Sequence, residues 1–123
     1  MYNEEIIIPC AKSKDLPRTL NNSLHGAKYF TWERSKWRRL VPRYINKLPV
    51  KPLTKANLSL IRYSSRQQDF DNMVMSWKFV IDALVNCGVL IGDSHKVIGQ
   101  PEYLWQKAKK NEYKIVIKIT EIV

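Results

Sequence analysis

The sequence predicts an α+β fold, with a small mixed β-sheet of about three to five strands and two main helices on one side. Several segments show strand-like patterns, and they do not alternate regularly with helices as a doubly wound fold would require. With 123 residues, the chain fits a single domain spanning residues 1–123. Its composition, 45% hydrophobic and 26% charged, is typical of a globular protein and argues against disorder.

The strands are predicted from a β-branched run and from period-two alternation. Residues 6–8 are three consecutive isoleucines, which is typical of a short first strand. Residues 57–63 alternate between two faces, and residues 113–122 alternate isoleucine with lysine and threonine. Residues 97–98 are predicted as a weak strand, and Glu102–Lys107 as either a strand or a helix.

The first helix is predicted over residues 29–48, with Thr31 as its N-cap. An apolar stripe and a basic stripe run side by side along it. Pro42 is expected to kink or split this helix, because proline lacks an N–H and clashes with the preceding turn. Trp32 and Trp37 are candidates for stacking on unpaired bases, although aromatic residues at helical spacing more often belong to the core.

The second helix is predicted over residues 72–87. Asp71 with Asn72 reads as its N-cap, since a short acceptor side chain can bond the free N–H groups of the first turn. Gly88 reads as its stop, because glycine readily adopts the left-handed conformation that ends many helices. Apolar residues at i, i+4, i+7, i+8 and i+11 give it a stripe suited to burial.

Three carboxylates and a lysine around this helix form a candidate metal site. Asp69 and Asp71 precede the helix, Lys78 lies on its polar side, and the following loop can return Asp93 towards its start. Magnesium prefers oxygen ligands and keeps several waters, so two or three carboxylates are a sufficient share from the protein. The alternative is that Asp71 only caps the helix, Asp69 and Asp93 are solvated, and Lys78 pairs with Asp82 on the surface.

Positive charge is concentrated before this motif. Residues 1–68 hold 14 Lys and Arg against 4 Asp and Glu, whereas residues 69–123 hold 7 of each, so the first part carries the whole net charge of +10. The polar segment 10–27 is predicted to be a loop. A basic half beside an acidic half suits an enzyme acting on a phosphate backbone, and the alternative is a basic surface that serves solubility. The candidate phosphate-binding residues are Lys12, Lys14, Arg18, Lys36, Arg39, Arg43, Lys47 and Arg66.

Other functional classes are not supported by the sequence. Cys10 and Cys87 have no metal-ligand spacing and are expected to be small buried hydrophobes. Neither His25 nor His95 belongs to a motif that would activate a cysteine nucleophile. No apolar run approaches the about 18 residues that span a bilayer, so we expect no membrane partner and a cytoplasmic protein.

The region from residue 68 to residue 94 resembles the RusA family of Holliday junction resolvases. That family shows Asp-x-Asp-Asn, a lysine four residues before Asp-Ala-Leu, a glycine, and an Asp-Asp pair a few residues later. A weaker, collinear likeness extends over the rest of the chain, including residues 16–21 and the last strand. The matching residues are Asp69, Asp71, Asn72, Lys78, Asp82, Ala83, Leu84, Gly88, Asp93 and Ser94.

The resemblance implies a function and a site. Asp69, Asp71 and Asp93 would be the metal-binding carboxylates and Lys78 the catalytic lysine of a homodimer that uses Mg²⁺, with Mn²⁺ as a second candidate. Such enzymes cut four-way DNA junctions by paired symmetric nicks. Gly92 stands where the family has the first aspartate of its pair, and three more residues than in the shortest family pattern separate Asp71 from the Asp-Ala-Leu segment. The rival functions are a non-catalytic basic DNA-binding module and a related metal nuclease for flaps or RNA.

Overall fold

The structure, a computed structural model, describes residues 1–18 and 26–123, apart from the side chains of residues 26–30. His25 and residues 19–21, the second half of the segment 16–21 named in the resemblance, lie outside the described residues. A short 3₁₀ turn follows β1 at Ser13–Asp15. The strands and helices are β1 (Asn3–Pro9), α1 (Gly26–Arg43), β2 (Ala56–Ser64), α2 (Phe70–Ser76), α3 (Lys78–Asn86), α4 (His95–Ile98), β3 (Glu102–Lys107) and β4 (Lys114–Glu121).

The four strands form one mixed sheet in the order β1-β4-β2-β3. The β4 strand pairs antiparallel with both β1 and β2, whereas β2 and β3 run parallel. The chain passes from β2 to β3 through α2, α3 and α4, since parallel neighbours need a crossover connection. The predicted α+β class with a small mixed sheet is confirmed.

The helices cover one face of the sheet, and the opposite face is partly exposed. Ile115, Ile117 and Ile119 of β4 are buried in the main core, together with inward-facing residues of β1 and β2. Helix α1 packs against α3 over this face. On the opposite face Ile7 is 44% exposed and Lys118 is exposed. The expectation that two main helices lie on one side of the sheet is therefore confirmed.

The first helix differs from its predicted bounds. It begins at Gly26 and ends at Arg43, so Thr31 lies within the helix and the prediction that it is the N-cap is wrong. Pro42 lies in the last turn, where Tyr44 N–H donates to the Val41 carbonyl over 3.2 Å. At this position proline ends the helix instead of splitting it, because few later residues remain whose hydrogen bonds it could disturb.

The predicted second helix is two helices that meet at Trp77. Trp77 has φ −84° and ψ −6°, and its N–H bonds the Val74 carbonyl three residues earlier, as in a tightened 3₁₀ turn. Its side chain is fully buried. The first of the two helices starts at Phe70, so its N-cap is Asp69, and the prediction that Asp71 is the N-cap is wrong.

Gly88 ends α3 as predicted. Its φ is +91°, and the Val89 and Gly88 N–H groups bond the Leu84 and Val85 carbonyls over 3.0 and 3.2 Å. This pair of bonds is the Schellman motif, which needs a left-handed residue such as glycine.

The segment between α3 and β3 also corrects the sequence analysis. Residues 97–98 belong to α4, so the weak strand predicted there is wrong, whereas Glu102–Lys107 is a strand. A two-residue apolar run carries no period, and tertiary packing decides its conformation. In the described part of the chain, no helix combines the length and the apolar character needed to cross a bilayer.

Candidate functional site

A cavity of about 360 Å³ lies between the α2–α3 pair, α4 and β3. Its lining includes Lys78 and Asp93, which come from separate parts of the predicted motif. His95 and Tyr103 bring further polar groups to the same cavity, and Val74 contributes part of its apolar wall. The fold thus brings two of the four predicted site residues into one concave surface.

Lys78 is positioned by the junction between α2 and α3. It is the first residue of α3 and directly follows Trp77, whose buried indole anchors the junction in the core. The Trp77 carbonyl accepts the Ile81 N–H over 3.0 Å, which continues the helical bonding across the break. The lysine side chain itself is exposed.

Asp93 is positioned by the loop that follows Gly88. The Leu53 N–H donates to the Val89 carbonyl over 2.8 Å, and the Ile91 N–H donates to the Leu53 carbonyl over 3.0 Å. These bonds tie the loop to the segment before β2, two residues ahead of Asp93. The loop backbone just before Asp93 is therefore fixed, and the Asp93 side chain extends from it into solvent.

The first turn of α2 lies next to the cavity. Phe70 sits between the two aspartates, and its ring meets that of Tyr103 edge-on with 6.4 Å between centroids. Val74, one turn later, lines the cavity. Asp69 and Asp71 are exposed at the start of this helix and do not line the cavity themselves.

The predicted site residues keep their charged groups open to solvent. Asp69, Asp71, Asp93 and Lys78 are exposed, and none of them makes a hydrogen bond or ion pair with another described side chain. Asp69 also makes no side-chain capping bond, although its carbonyl accepts the Met73 N–H over 2.9 Å. The three carboxylates are therefore free to take other partners.

The Lys78–Asp82 surface pair, considered above as an alternative role for Lys78, is not formed, and Asp82 pairs with Arg38 instead. Both carboxylate oxygens of Asp82 accept bonds from the Arg38 guanidinium of α1, over 2.8 and 3.1 Å. This hydrogen bonding raises the pKa of Arg38. Asp82 thus links α3 to α1 and leaves the Lys78 ammonium without it.

The donor set suits a hard cation, but it is divided between two places. Carboxylate oxygens are the ligands that Mg²⁺ prefers. In the residues whose side chains are described, no three or more His, Cys, Asp and Glu side chains gather closely enough to hold a metal ion. Within one chain, Asp93 with His95 at the cavity is separate from Asp69 with Asp71 at the helix start.

The candidate phosphate-binding residues fall into different environments. Lys36 is only 6% exposed, so its side chain lies inside the protein and not on the basic surface predicted for it. Trp37 is fully buried, as the core alternative predicted, whereas Trp32 is 55% exposed. Arg18 is half-buried. The remaining candidates are exposed: Lys12, Lys14, Arg39, Arg43, Lys47 and Arg66.

Neither cysteine is suited to nucleophilic chemistry. Cys10 is buried, and burial raises the pKa of its thiol to about 11. Burial also raises the pKa of the half-buried Cys87. Both cysteines are free. The prediction that both are small buried hydrophobes is confirmed for Cys10, whereas Cys87 is only half-buried.

The cavity contains two polar residues that sequence reasoning did not assign to the site. His95 stands two residues after Asp93, and that proximity was a usable signal. Tyr103 lies at the cavity because β3 pairs parallel with β2, and no local sequence motif predicts this pairing.

No protein-family model matches the chain, and no curated protein is significantly similar to it.

Proposed function

We propose that this protein is a Mg²⁺-dependent, structure-selective endodeoxyribonuclease of the RusA type, which resolves four-way DNA junctions by paired symmetric nicks. The observation that carries the proposal is that Lys78 and Asp93 line one cavity beside α2, whose first turn carries Asp71 and whose N-cap is Asp69. The same residues carry the sequence resemblance to that family. The proposal thus has one support in the sequence and another in the geometry.

The carboxylates Asp69, Asp71 and Asp93 would hold the cation. Because Asp93 is separate from Asp69 and Asp71 within one chain, sharing one ion would require these exposed side chains to come together when it binds. When bound, Mg²⁺, or Mn²⁺ in its place, supplies hydroxide from water and stabilises negative charge on the phosphate. Lys78 adds a mobile cation at the cavity wall, where it can contact a phosphate oxygen or the leaving oxygen. Because this ammonium has no partner among the described residues, no ion pair must break before it binds substrate.

The basic residues of the first half would hold the junction arms. Exposed Lys12, Lys14, Arg39, Arg43 and Lys47 can each neutralise a phosphate, and every such contact releases counterions. Binding should therefore weaken steeply with rising salt. Paired nicks at symmetric positions need two active sites, so the proposed working form is a cytoplasmic homodimer with one site in each subunit.

The decisive experiment replaces the two aspartates at the start of α2. Asp69→Asn with Asp71→Asn should abolish cutting of a labelled synthetic four-way junction in Mg²⁺, while gel-shift affinity in Ca²⁺ stays within about threefold. Glu112→Gln, an exposed carboxylate in the turn before β4, is the matched control and should cut normally. Wild-type cutting rates in the double variant would refute the site.

The charge distribution by itself also fits a non-catalytic basic DNA-binding module. That function predicts junction or duplex binding indifferent to Mg²⁺ and no nicks at any concentration of Mg²⁺ or Mn²⁺. Flap and RNA substrates, offered beside the junction in the same assay, separate the third possibility of a related metal nuclease. Junction cutting that exceeds flap and RNA cutting supports the proposed function.

A further inference from the structure

Three charged side chains lie buried beneath the loop that follows β1. Glu33 and Lys36 come from α1 and Arg62 from β2, and they are 0%, 6% and 7% exposed. Burying a charged group is unfavourable unless it is paired or hydrogen-bonded. The contacts of these side chains therefore show what this buried cluster does.

The Lys36 side chain binds the backbone of the loop. Its Nζ donates to the Asp15 carbonyl over 3.0 Å, and it lies 3.7 Å from a Glu33 carboxylate oxygen. It also stands 4.7 Å from the ring centroid of Trp37, whose indole N–H donates to the other Glu33 oxygen over 2.8 Å. Glu33 and Trp37 thus hold the lysine so that its ammonium points at the loop.

Arg62 makes a second contact of the same kind. Its Nη1 donates to the Pro17 carbonyl over 2.7 Å, two residues beyond the carbonyl that Lys36 binds. Arg62 has no salt bridge to any described residue, and burial lowers its pKa. A buried cation without an acidic partner has the loop carbonyl as its main compensation.

The loop held by these cations turns its own charges outward. The Lys12 N–H donates to the Asp15 carboxylate over 3.1 Å, and the Asp15 N–H donates to the Lys12 carbonyl over 2.9 Å. Leu16 is fully buried, whereas Lys12 and Lys14 are exposed. The backbone of this turn therefore faces the buried cluster, and its two lysines face solvent.

We propose that Lys36 and Arg62 are positioning residues, which hold the loop of residues 12–18 so that Lys12 and Lys14 meet DNA phosphates as a preformed pair. This inference rests on the proposed function for its ligand. A loop that is already ordered in the free protein does not lose conformational entropy when DNA binds, so the binding step is more favourable. It also gives Lys36 a role in DNA binding although its own side chain is enclosed.

The main test variant is Glu33→Gln with Lys36→Met. Replacing Lys36 alone would leave the Glu33 carboxylate buried without a cation, so both charges are removed together. The matched control is Arg34→Met, which removes an exposed cation of the same helix that is not among the candidate phosphate-binding residues. Arg62→Met, measured in the same way, decides the matter if the double variant fails to fold.

The first readout is amide hydrogen exchange over residues 11–18 in the free protein. Exchange at Lys12, Asp15 and Leu16 should be at least about tenfold faster in the test variant, because their turn is no longer anchored. Exchange should be unchanged in Arg34→Met. Equal protection in the test variant and the wild type would overturn the inference, whatever the protein binds.

The second readout is the salt dependence of binding to a four-way junction. Losing two preformed contacts should make the slope of log K against log salt shallower by about 2 in the test variant. Lys12→Gln with Lys14→Gln should do the same, and combining both pairs should add nothing further. Additive effects would overturn the inference, whereas a wild-type protein that binds no DNA would overturn the proposed function and leave the exchange result to decide the anchoring.

Discussion

Lys36 and Lys78 show how differently two regions of this molecule use a lysine. The Lys36 ammonium is enclosed and bonds a loop carbonyl beside a buried glutamate, whereas the Lys78 ammonium is exposed at the wall of a cavity without a described partner. A charge whose partners are internal shapes the fold, and a charge without internal partners is available to a ligand. Replacing each lysine should therefore affect different properties.

The largest expected effect is on stability in the buried region. Lys36→Met should lower the free energy of unfolding by about 3 kcal/mol, because the Glu33 carboxylate keeps its burial and loses its cation. Lys78→Met should change it by less than about 0.5 kcal/mol, as is usual at exposed positions. Urea denaturation of both variants measures the difference, and equal losses would contradict the contrast.

The next largest effect is on activity in the cavity region. Lys78→Met should lower the single-turnover rate of junction cutting by about 10²-fold, since an electrostatic contact to the reacting phosphate is lost. Lys78→Arg should recover part of this rate because it restores the positive charge. Lys96→Met, an exposed lysine of α4 that does not line the cavity, is the control. Normal cutting by Lys78→Met would remove this lysine from the proposed site.

The fold was predictable where the sequence pattern is local. The alternation in residues 113–122 identifies β4, which occupies a central place in the sheet, and Gly88 marks the end of α3 correctly. The break at Trp77 was not predictable, because the apolar stripe passes through it without interruption. The break lies where the Trp77 indole is fully buried, and this burial depends on tertiary packing that local helix propensity does not describe.

The candidate site was predictable only in part, for a similar reason. Residue types and spacing single out Lys78 and Asp93, and the loop after Gly88 brings them to the same cavity. Sequence alone could not show that Lys36 is enclosed, since its burial depends on a loop that contributes Asp15 and Leu16 from elsewhere in the chain. It could not place Tyr103 either, because strand order decides that position.

The smallest predicted effect tests whether cation binding at the cavity is limited by the number of carboxylate ligands there. A Cβ at Gly92 would lie 3.9 Å from Val97 Cγ2, an ordinary contact, and Gly92 does not have the left-handed backbone found at Gly88 and Gly99. Gly92→Asp should therefore be accommodated, and it would place a second carboxylate beside Asp93, as in the RusA pattern. Adding a charged oxygen ligand strengthens binding of a hard cation.

We expect Gly92→Asp to lower the Mg²⁺ concentration for half-maximal cutting by about tenfold, which corresponds to about 1.4 kcal/mol. Calorimetric titration with Mg²⁺ or Mn²⁺ without DNA should show the same shift, so the result does not depend on activity. Gly92→Asn has nearly the same shape without the charge and should stay close to the wild type. If the two variants behave alike, the change comes from the backbone or from packing. A carboxylate beside Asp93 would then not strengthen cation binding, which would argue against Asp93 as a metal ligand.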